Sequence, residues 1–179
     1  MNLIVGLGNP GKQYGQTRHN LGFRVLDLLT GTETWENKYD SQFLKLDDVI
    51  LVKPQTFMNK SGEAVAEILK YYPAAKLVVI HDELDLPLGS IKVQKNISAA
   101  GHNGVQSIID ALGTTHFVRN RMGINNPLTS GQLPGDDYVL QKFTDQEEQI
   151  VKEILEKAAK VSETIQTDGL EIAQAKFNG

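Results

Sequence analysis

Thr17-Arg18-His19-Asn20 places an imidazole at the end of a polar loop, just before a helix. Four further polar segments each lie beside a buried strand or a helix start: Gly8-Asn9-Pro10-Gly11, Pro54 to Gly62 (PQTFMNKSG), His81 to Pro87 (HDELDLP) and Gly101-His102-Asn103-Gly104. Brought together, they supply one imidazole, one carboxylate from among Asp82, Glu83 and Asp85, and three carboxamides, Asn9, Asn59 and Asn103. A neutral imidazole, with a reference pKa of about 6.5, takes a proton from water near neutral pH. That step is typically worth roughly 10² to 10⁴ in rate. A carboxylate on the other ring nitrogen fixes the tautomer and stabilises the imidazolium as it forms, and carboxamide N–H groups hold a developing oxyanion. The chemistry such a set suits is hydrolysis of an activated acyl bond without a covalent enzyme intermediate. By itself His19 reads as a capping or packing residue; the accompanying turns are what single it out.

For these turns to meet, strands must end where helices begin. Asn2 to Leu7 (NLIVGL) reads as a buried strand stopped by Gly8-Asn9-Pro10-Gly11. A helix begins after Asn20 as N-cap, with Leu21, Val25, Leu28 and Leu29 on one face and Gly31 as its end. Strands at Ser41 to Leu46 and Val49 to Lys53 flank a turn at Asp47-Asp48, and Ser61 caps a helix running to about Tyr71. Lys76 to His81 (KLVVIH) is the strongest buried strand and ends at the acidic cluster. A strand at Ser90 to Lys95, a helix from about Asn103 to Leu112 and a strand from Phe117 to Ile124 follow. Residues 125 to 137 read as loop, and Thr144-x-x-Glu147 is a capping box opening a long amphipathic helix to about Thr167. The alternation predicts an α/β three-layer sandwich, with a central mixed, mostly parallel twisted sheet flanked by helices. Residues 1 to 179 form one domain, with an acidic helical segment over about 144 to 179.

Several tempting motifs fail on context. Gly6-x-Gly8-x-x-Gly11 follows a strand, but no helix starts at its glycines to face a pyrophosphate. Gly6-x4-Gly11-Lys12 is followed by Gln13, which lacks the metal-binding hydroxyl of a phosphate loop. His19, His81, His102 and His116 show no metal-ligand spacing, and no GxSxG elbow occurs. The absence of cysteine removes disulfides, thiolate nucleophiles and zinc knuckles, and fits a reducing compartment. No stretch approaches a membrane span and the first residues carry no basic leader, so a cytoplasmic protein is expected. The net charge of −4 is uneven: residues 131 to 179 carry 5 Lys+Arg against 10 Asp+Glu, leaving 13 against 12 in residues 1 to 130. A basic face for an RNA partner is therefore compatible with an acidic chain.

Asn9-Pro10-Gly11-x-x-Tyr14-x-x-Thr17-Arg18-His19-Asn20, Pro54-x-Thr56-Phe57-Met58-Asn59-x-Ser61-Gly62, His81-Asp82-Glu83-Leu84-Asp85-Leu86-Pro87 and Gly101-His102-Asn103-Gly104 resemble bacterial peptidyl-tRNA hydrolase. Their order and spacing, and Phe117-x-Arg119-x-Arg121-x-Gly123 further on, extend the likeness over nearly the whole chain. The resemblance implies that His19 is the general base, Asp82 orients it, and Asn9 lies beside the scissile ester. It implies that Asn59 and Asn103 hold the peptide and the acceptor end of the tRNA, that Tyr14, Phe57 and Met58 line the cleft, and that Arg121, with Arg119 less surely, meets backbone phosphate. It further implies peptidyl-tRNA as the partner, no metal or organic cofactor, and a monomer. A non-catalytic RNA-binding protein on the same fold is the alternative. Strand alternation sends His81 to the face opposite Asp82, so His81 is expected to be packed, Arg18 to be an ion-pair donor, and His102 to support its loop. The chain departs from the family at Asn96 to Ala100, where the family is rich in glycine, and at Gln94 and Gln106, where basic residues are common.

Overall fold

The apolar run at the start of the chain becomes β1 (Asn2–Gly6), and its alternation divides the molecule into two cores. Ile4 faces one side of the sheet, whereas Leu3 and Val5 face the other. The structure, a computed structural model, describes all residues from Met1 to Gly179. Its remaining strands are β2 (Glu36–Lys38), β3 (Ser41–Lys45), β4 (Val49–Pro54), β5 (Lys76–Pro87), β6 (Ile91–Lys95) and β7 (Val118–Asn125). The helices are α1 (Leu21–Thr30), α2 (Ser61–Tyr71), α3 (Asn103–Leu112), α4 (Gly135–Val139), α5 (Asp145–Thr167) and α6 (Leu170–Phe177).

One sheet of order β2-β3-β4-β1-β5-β7-β6 runs through the middle. The strands β4, β1, β5 and β7 are parallel neighbours, and β3 and β6 pair antiparallel to theirs. The mixed, mostly parallel sheet expected from the sequence is thus present. On one face Val25 and Leu26 of α1 and Val151, Ile154 and Ala158 of α5 pack on Ile4, Val78 and Ile80. On the other, Val65 and Ile68 of α2 and Val105 and Ile108 of α3 pack on Leu3, Val5, Leu77 and Val79. Truncating one such buried aliphatic costs about 2–5 kcal/mol, a large share of the roughly 5–15 kcal/mol that holds a domain folded.

The helix α1 is brought unusually close to the sheet by two glycines. A Cβ on Gly22 would meet the backbone of Leu7 and the carbonyl of Ile80, and one on Gly6 would meet the Gly22 carbonyl. This contact places the residues that precede α1 at the carboxyl end of β1 and β5, where ligands of open α/β sheets sit.

Four local expectations are corrected. Asn20 precedes α1 but makes no cap bond, because its carboxamide is spent on Asn9. Ser61 is the first residue of α2 and donates its hydroxyl to the Met58 carbonyl instead of capping. The strand β5 does not stop at His81; β7 pairs alongside through Asp82 and Glu83, with a register shift before Pro87. The stretch read as loop ends within α4, and Gly169, at φ 92°, separates α5 from a sixth helix. The capping box at Thr144 and Glu147 is present with both of its bonds.

Candidate active site

Asp82 lies on β5 where the two helical layers come closest. His19, in the 3₁₀ turn Arg18–Asn20 that leads into α1, reaches it from one layer; His102, the N-cap of α3, reaches it from the other. His19 Nδ1 lies 2.9 Å and 3.0 Å from the two Asp82 oxygens, and His102 Nε2 lies 2.9 Å from Oδ1. The His102 proton is assigned by its other nitrogen, since Nδ1 accepts from the Val105 N–H at 3.3 Å, leaving Nε2–H to donate to the carboxylate. His19 is 5% exposed, and its Nε2 has no partner in the chain yet reaches solvent. The imidazole and the carboxylate thus stand together, with one ring nitrogen left open.

The electrostatics follow from this sharing. Burial alone would raise the Asp82 pKa, but the two imidazoles and their hydrogen bonds hold it well below the usual carboxylate range. For His19, burial pushes the pKa down and is the largest influence; the charge of Asp82, its hydrogen bond and then Asp136 outweigh it, so the net direction is up. Burial foremost lowers His102 and takes His81 well below 6.5. His81 is fully buried, donates Nδ1–H to the Asp82 carbonyl at 2.6 Å and accepts from Arg119 Nε at 2.9 Å, so it is a packed, neutral ring.

Asn9 is held by three bonds. Its backbone N–H donates to Asn20 Oδ1, its carbonyl accepts from Asn20 Nδ2, and its own Oδ1 accepts from the Met58 N–H at 2.8 Å. The Asn9 Nδ2 group is left without an internal partner and opens to solvent, although the residue is 6% exposed. Since Asn20 follows His19 directly, the same turn aligns the imidazole and this carboxamide. Sequence alone does not reveal this role of Asn20, because an N-cap is the simplest use for an Asn at a helix start.

His19, Asp82, His102 and Asn103 line one cavity of about 110 Å³, together with Gly135, Asp136 and Val139. That is ample for a water molecule and a substrate group. Asn9 and Asn20 line a shallower hollow beside it. A larger cleft of about 980 Å³ lies at the amino ends of β1 and β5, away from these side chains. Asn59, Asn103 and Phe57 are exposed and Tyr14 half-buried, and none of Tyr14, Phe57 and Asn59 lines the His19 cavity.

Three expected ligand contacts are corrected. Met58 is a core residue, 5% exposed and packed against Gly104, and it serves the site through its backbone N–H. Arg119 is 1% exposed and turned inward onto His81 and the carbonyls of Ile97 and Ser98. Arg121 is ion-paired with Glu83 at 2.9 Å and bonded to Gln94, with 11% of its side chain exposed, so it is not a free cation.

His19, Asp82 and His102 also gather nitrogen and oxygen atoms within 4.8 Å of one another. They do not fit a metal ion, because the tautomer of His102 puts a proton on the nitrogen that faces the carboxylate, and the 2.9 Å separations are those of hydrogen bonds.

A doubly covered α/β sheet that carries a histidine–aspartate pair at the carboxyl edge of its strands, with the outer ring nitrogen free, has the layout of a hydrolase. A model of the peptidyl-tRNA hydrolase family matches residues 3–179. The peptidyl-tRNA hydrolase of Chloroflexus aggregans is 43% identical over 98% of both chains, and that of Caldanaerobacter subterraneus is 42% identical over the full length of both. The crystal structure of peptidyl-tRNA hydrolase from Acinetobacter baumannii superposes with a TM-score of 0.86 at 31% identity, covering 98% of this chain and 93% of that one. The chain belongs to the peptidyl-tRNA hydrolase family.

Proposed function

We propose that the protein hydrolyses the ester between a peptide and the 3′ ribose of tRNA, with His19 as general base. The observation that carries this reading is the His19 ring, bound to Asp82 through Nδ1 and open to the cavity through Nε2. Nε2 takes a proton from water as its oxygen attacks the ester carbonyl. Asp82 stabilises the imidazolium so formed, and the Asn9 Nδ2–H group donates to the carbonyl oxygen as it gains charge. When the tetrahedral adduct collapses, the C–O bond to the ribose breaks and the imidazolium returns its proton to the departing 3′ oxygen. The products are the peptide acid and intact tRNA, and this proton circuit calls on no metal or organic cofactor.

Asn59 and Asn103, both exposed, are assigned to the peptide and the acceptor end of the tRNA, and exposed Phe57 and half-buried Tyr14 to its apolar surface. A free aminoacyl-tRNA would bring an ammonium group to Asn9 or Asn59, where a peptide brings a neutral amide; burying the unpaired charge is costly, which favours the blocked substrate. With Arg121 engaged by Glu83, phosphate contact falls to Lys12 and Lys60, which are exposed, without ion-pair partners, and follow the ends of β1 and β4. The protein is taken to act as a single-domain monomer in the cytoplasm, where peptidyl-tRNA is made; no helix is long and apolar enough to cross a membrane. A binding protein without turnover has no use for a buried imidazole–carboxylate pair with a free ring nitrogen. The test is single-turnover hydrolysis of N-acetylaminoacyl-tRNA by wild type and His19→Ala. A fall of roughly 10² to 10⁴ is expected, and comparable rates would leave RNA binding as the better account.

A further inference from the structure

The turn that carries His19 is bolted to the segment that lines its cavity. Arg18 is 2% exposed, and its Nη2 pairs with Glu147 Oε2 at 2.8 Å. Its guanidinium carbon lies 4.2 Å from the ring centre of Tyr138 on α4 and 4.6 Å from that of Phe143. The Arg18 N–H donates to the Gln141 carbonyl at 2.9 Å, Thr17 bridges to Lys142, and the Tyr138 hydroxyl donates to the Ile124 carbonyl. A buried arginine clasped between two aromatic rings and a carboxylate does not let the two segments drift apart. Whatever α4 presents to the cavity is therefore held in a fixed relation to His19.

What α4 presents is Asp136. Its carboxylate is exposed, has no hydrogen bond or ion pair, and lines the same cavity as His19. The charged and titratable groups around the ring are few. From β5 come Asp82, shared by two imidazoles, Glu83, paired with Arg121, and exposed Asp85; His81 on the same strand is neutral. From the α3 side comes neutral His102, and Arg119 lies behind His81; Arg18, next in the chain, is turned away to Glu147. No lysine or arginine lines the cavity.

We propose that Asp136 is a positioning residue for hydrolysis, its helix held at the cavity by the Arg18 clasp so that its carboxylate stabilises the imidazolium His19 becomes on taking the water proton. The proposal rests on the reading of His19 as the base. Asp136 is among the groups that already raise the His19 pKa. In the free protein, water weakens the interaction; a bound acyl group displaces that water, and the attraction grows as the local dielectric falls. The effect belongs to the turnover step more than to binding.

The experiment is the pH dependence of single-turnover hydrolysis of N-acetylaminoacyl-tRNA by Asp136→Asn, Asp136→Glu, Asp137→Asn and Asp85→Asn, with thermal melting as the folding control. Asp136→Asn is expected to lower kcat about two- to tenfold and to move the acid limb to lower pH, because an imidazolium with one fewer anionic neighbour loses its proton more readily. KM should stay level or fall, since the tRNA polyanion meets one fewer negative charge. Asp136→Glu restores kcat, and Asp137→Asn, the same charge change on the outer face of α4, leaves the profile in place. The proposal is overturned if the Asp136→Asn profile superimposes on the wild type, if only KM changes, or if Asp85→Asn produces the shift instead. His19→Ala hydrolysing at the wild-type rate would instead overturn the base itself; a dead His19→Ala beside a silent Asp136→Asn removes Asp136 alone.

Discussion

His19 and His102 converge on a single oxygen, Oδ1 of Asp82, each at 2.9 Å, with their ring centres 4.7 Å apart. The carboxylate is thus divided between the ring proposed as the base and one that stays neutral. Removing His102 leaves the whole of that oxygen to His19. His102→Ala should therefore tighten the grip of Asp82 on the His19 proton, move the acid limb of the rate profile to higher pH, and slow hydrolysis at neutral pH. The substitution also removes the N-cap of α3, worth about 1 kcal/mol, whereas His102→Asn keeps a capping side chain without the reach to Asp82. If both variants lose stability in the expected order yet share the wild-type acid limb, the divided oxygen has no bearing on the base.

Asn9 has two halves with different tasks: Oδ1 holds the Met58 N–H, and Nδ2 faces solvent. Alanine destroys both, which makes Asn9→Asp the sharper probe, since it keeps the acceptor and deletes the donor. Asn9→Asp is expected to melt near the wild-type temperature while kcat falls by about 10² to 10³, the usual cost of an oxyanion donor. Asn9→Ala should lose stability as well, because a buried backbone N–H is left unpaired. It should also narrow the preference for N-blocked over free aminoacyl-tRNA. A kcat for Asn9→Asp within twofold of wild type would remove Nδ2 from the mechanism.

Lys12 and Lys60 are exposed and unpaired, in contrast to Arg121, which Glu83 already neutralises. If the two lysines meet tRNA phosphates, each accounts for about 0.7 to 0.9 in the slope of log affinity against log salt. Lys12→Ala and Lys60→Ala should raise KM at low salt, reduce that slope by about one unit each, and leave kcat alone. Arg121→Gln, which frees the Glu83 carboxylate in a largely buried place, should cost stability. A salt slope unchanged in both lysine variants would mean that phosphate is gripped elsewhere.

The strands and helices that carry the site were readable because they obey simple periods: the alternation of β1 and β5 supplies both cores, and the Thr144–Glu147 box starts α5 where the spacing predicts. His19, Asn9 and an acidic partner for the imidazole are visible as residue types in turns that an α/β sheet gathers at one edge, and the family resemblance picks Asp82 from the three acids there. What stayed hidden is which partner each polar group takes. Asn20 and Ser61 looked like caps, but tertiary neighbours gave Asn20 the Asn9 backbone and gave Ser61 the Met58 carbonyl. Met58 and Arg121 are ligand contacts by resemblance alone; packing against Gly104 and pairing with Glu83 engage these side chains, and neither neighbour is close in sequence. The strand β2, exposed throughout, carries no apolar period at all.

Glu147 joins the fold to the site, for it caps α5 through Thr144 and also holds Arg18, Asn126 and Thr129. Burial would raise its pKa, but the bonds from Arg18, Thr144 and Asn126 together lower it below the ordinary 4.5. A carboxyl depressed on folding contributes stability at pH values above its unfolded pKa, and that contribution is lost as pH falls through the folded value. Glu147→Gln keeps the size and one acceptor but leaves the Arg18 charge buried without its counter-ion, at a cost of about 3–5 kcal/mol near neutrality. Urea unfolding of the two proteins should therefore differ most at about pH 7 and converge in acid, as pH falls through the depressed pKa of the wild-type carboxyl. The acid convergence separates this ionic contribution from simple packing loss, which would hold the two curves apart at every pH. Because Arg18 also precedes His19 in the chain, the same variant should lose kcat at temperatures well below its own melting point, and full activity there would uncouple the clasp from the base.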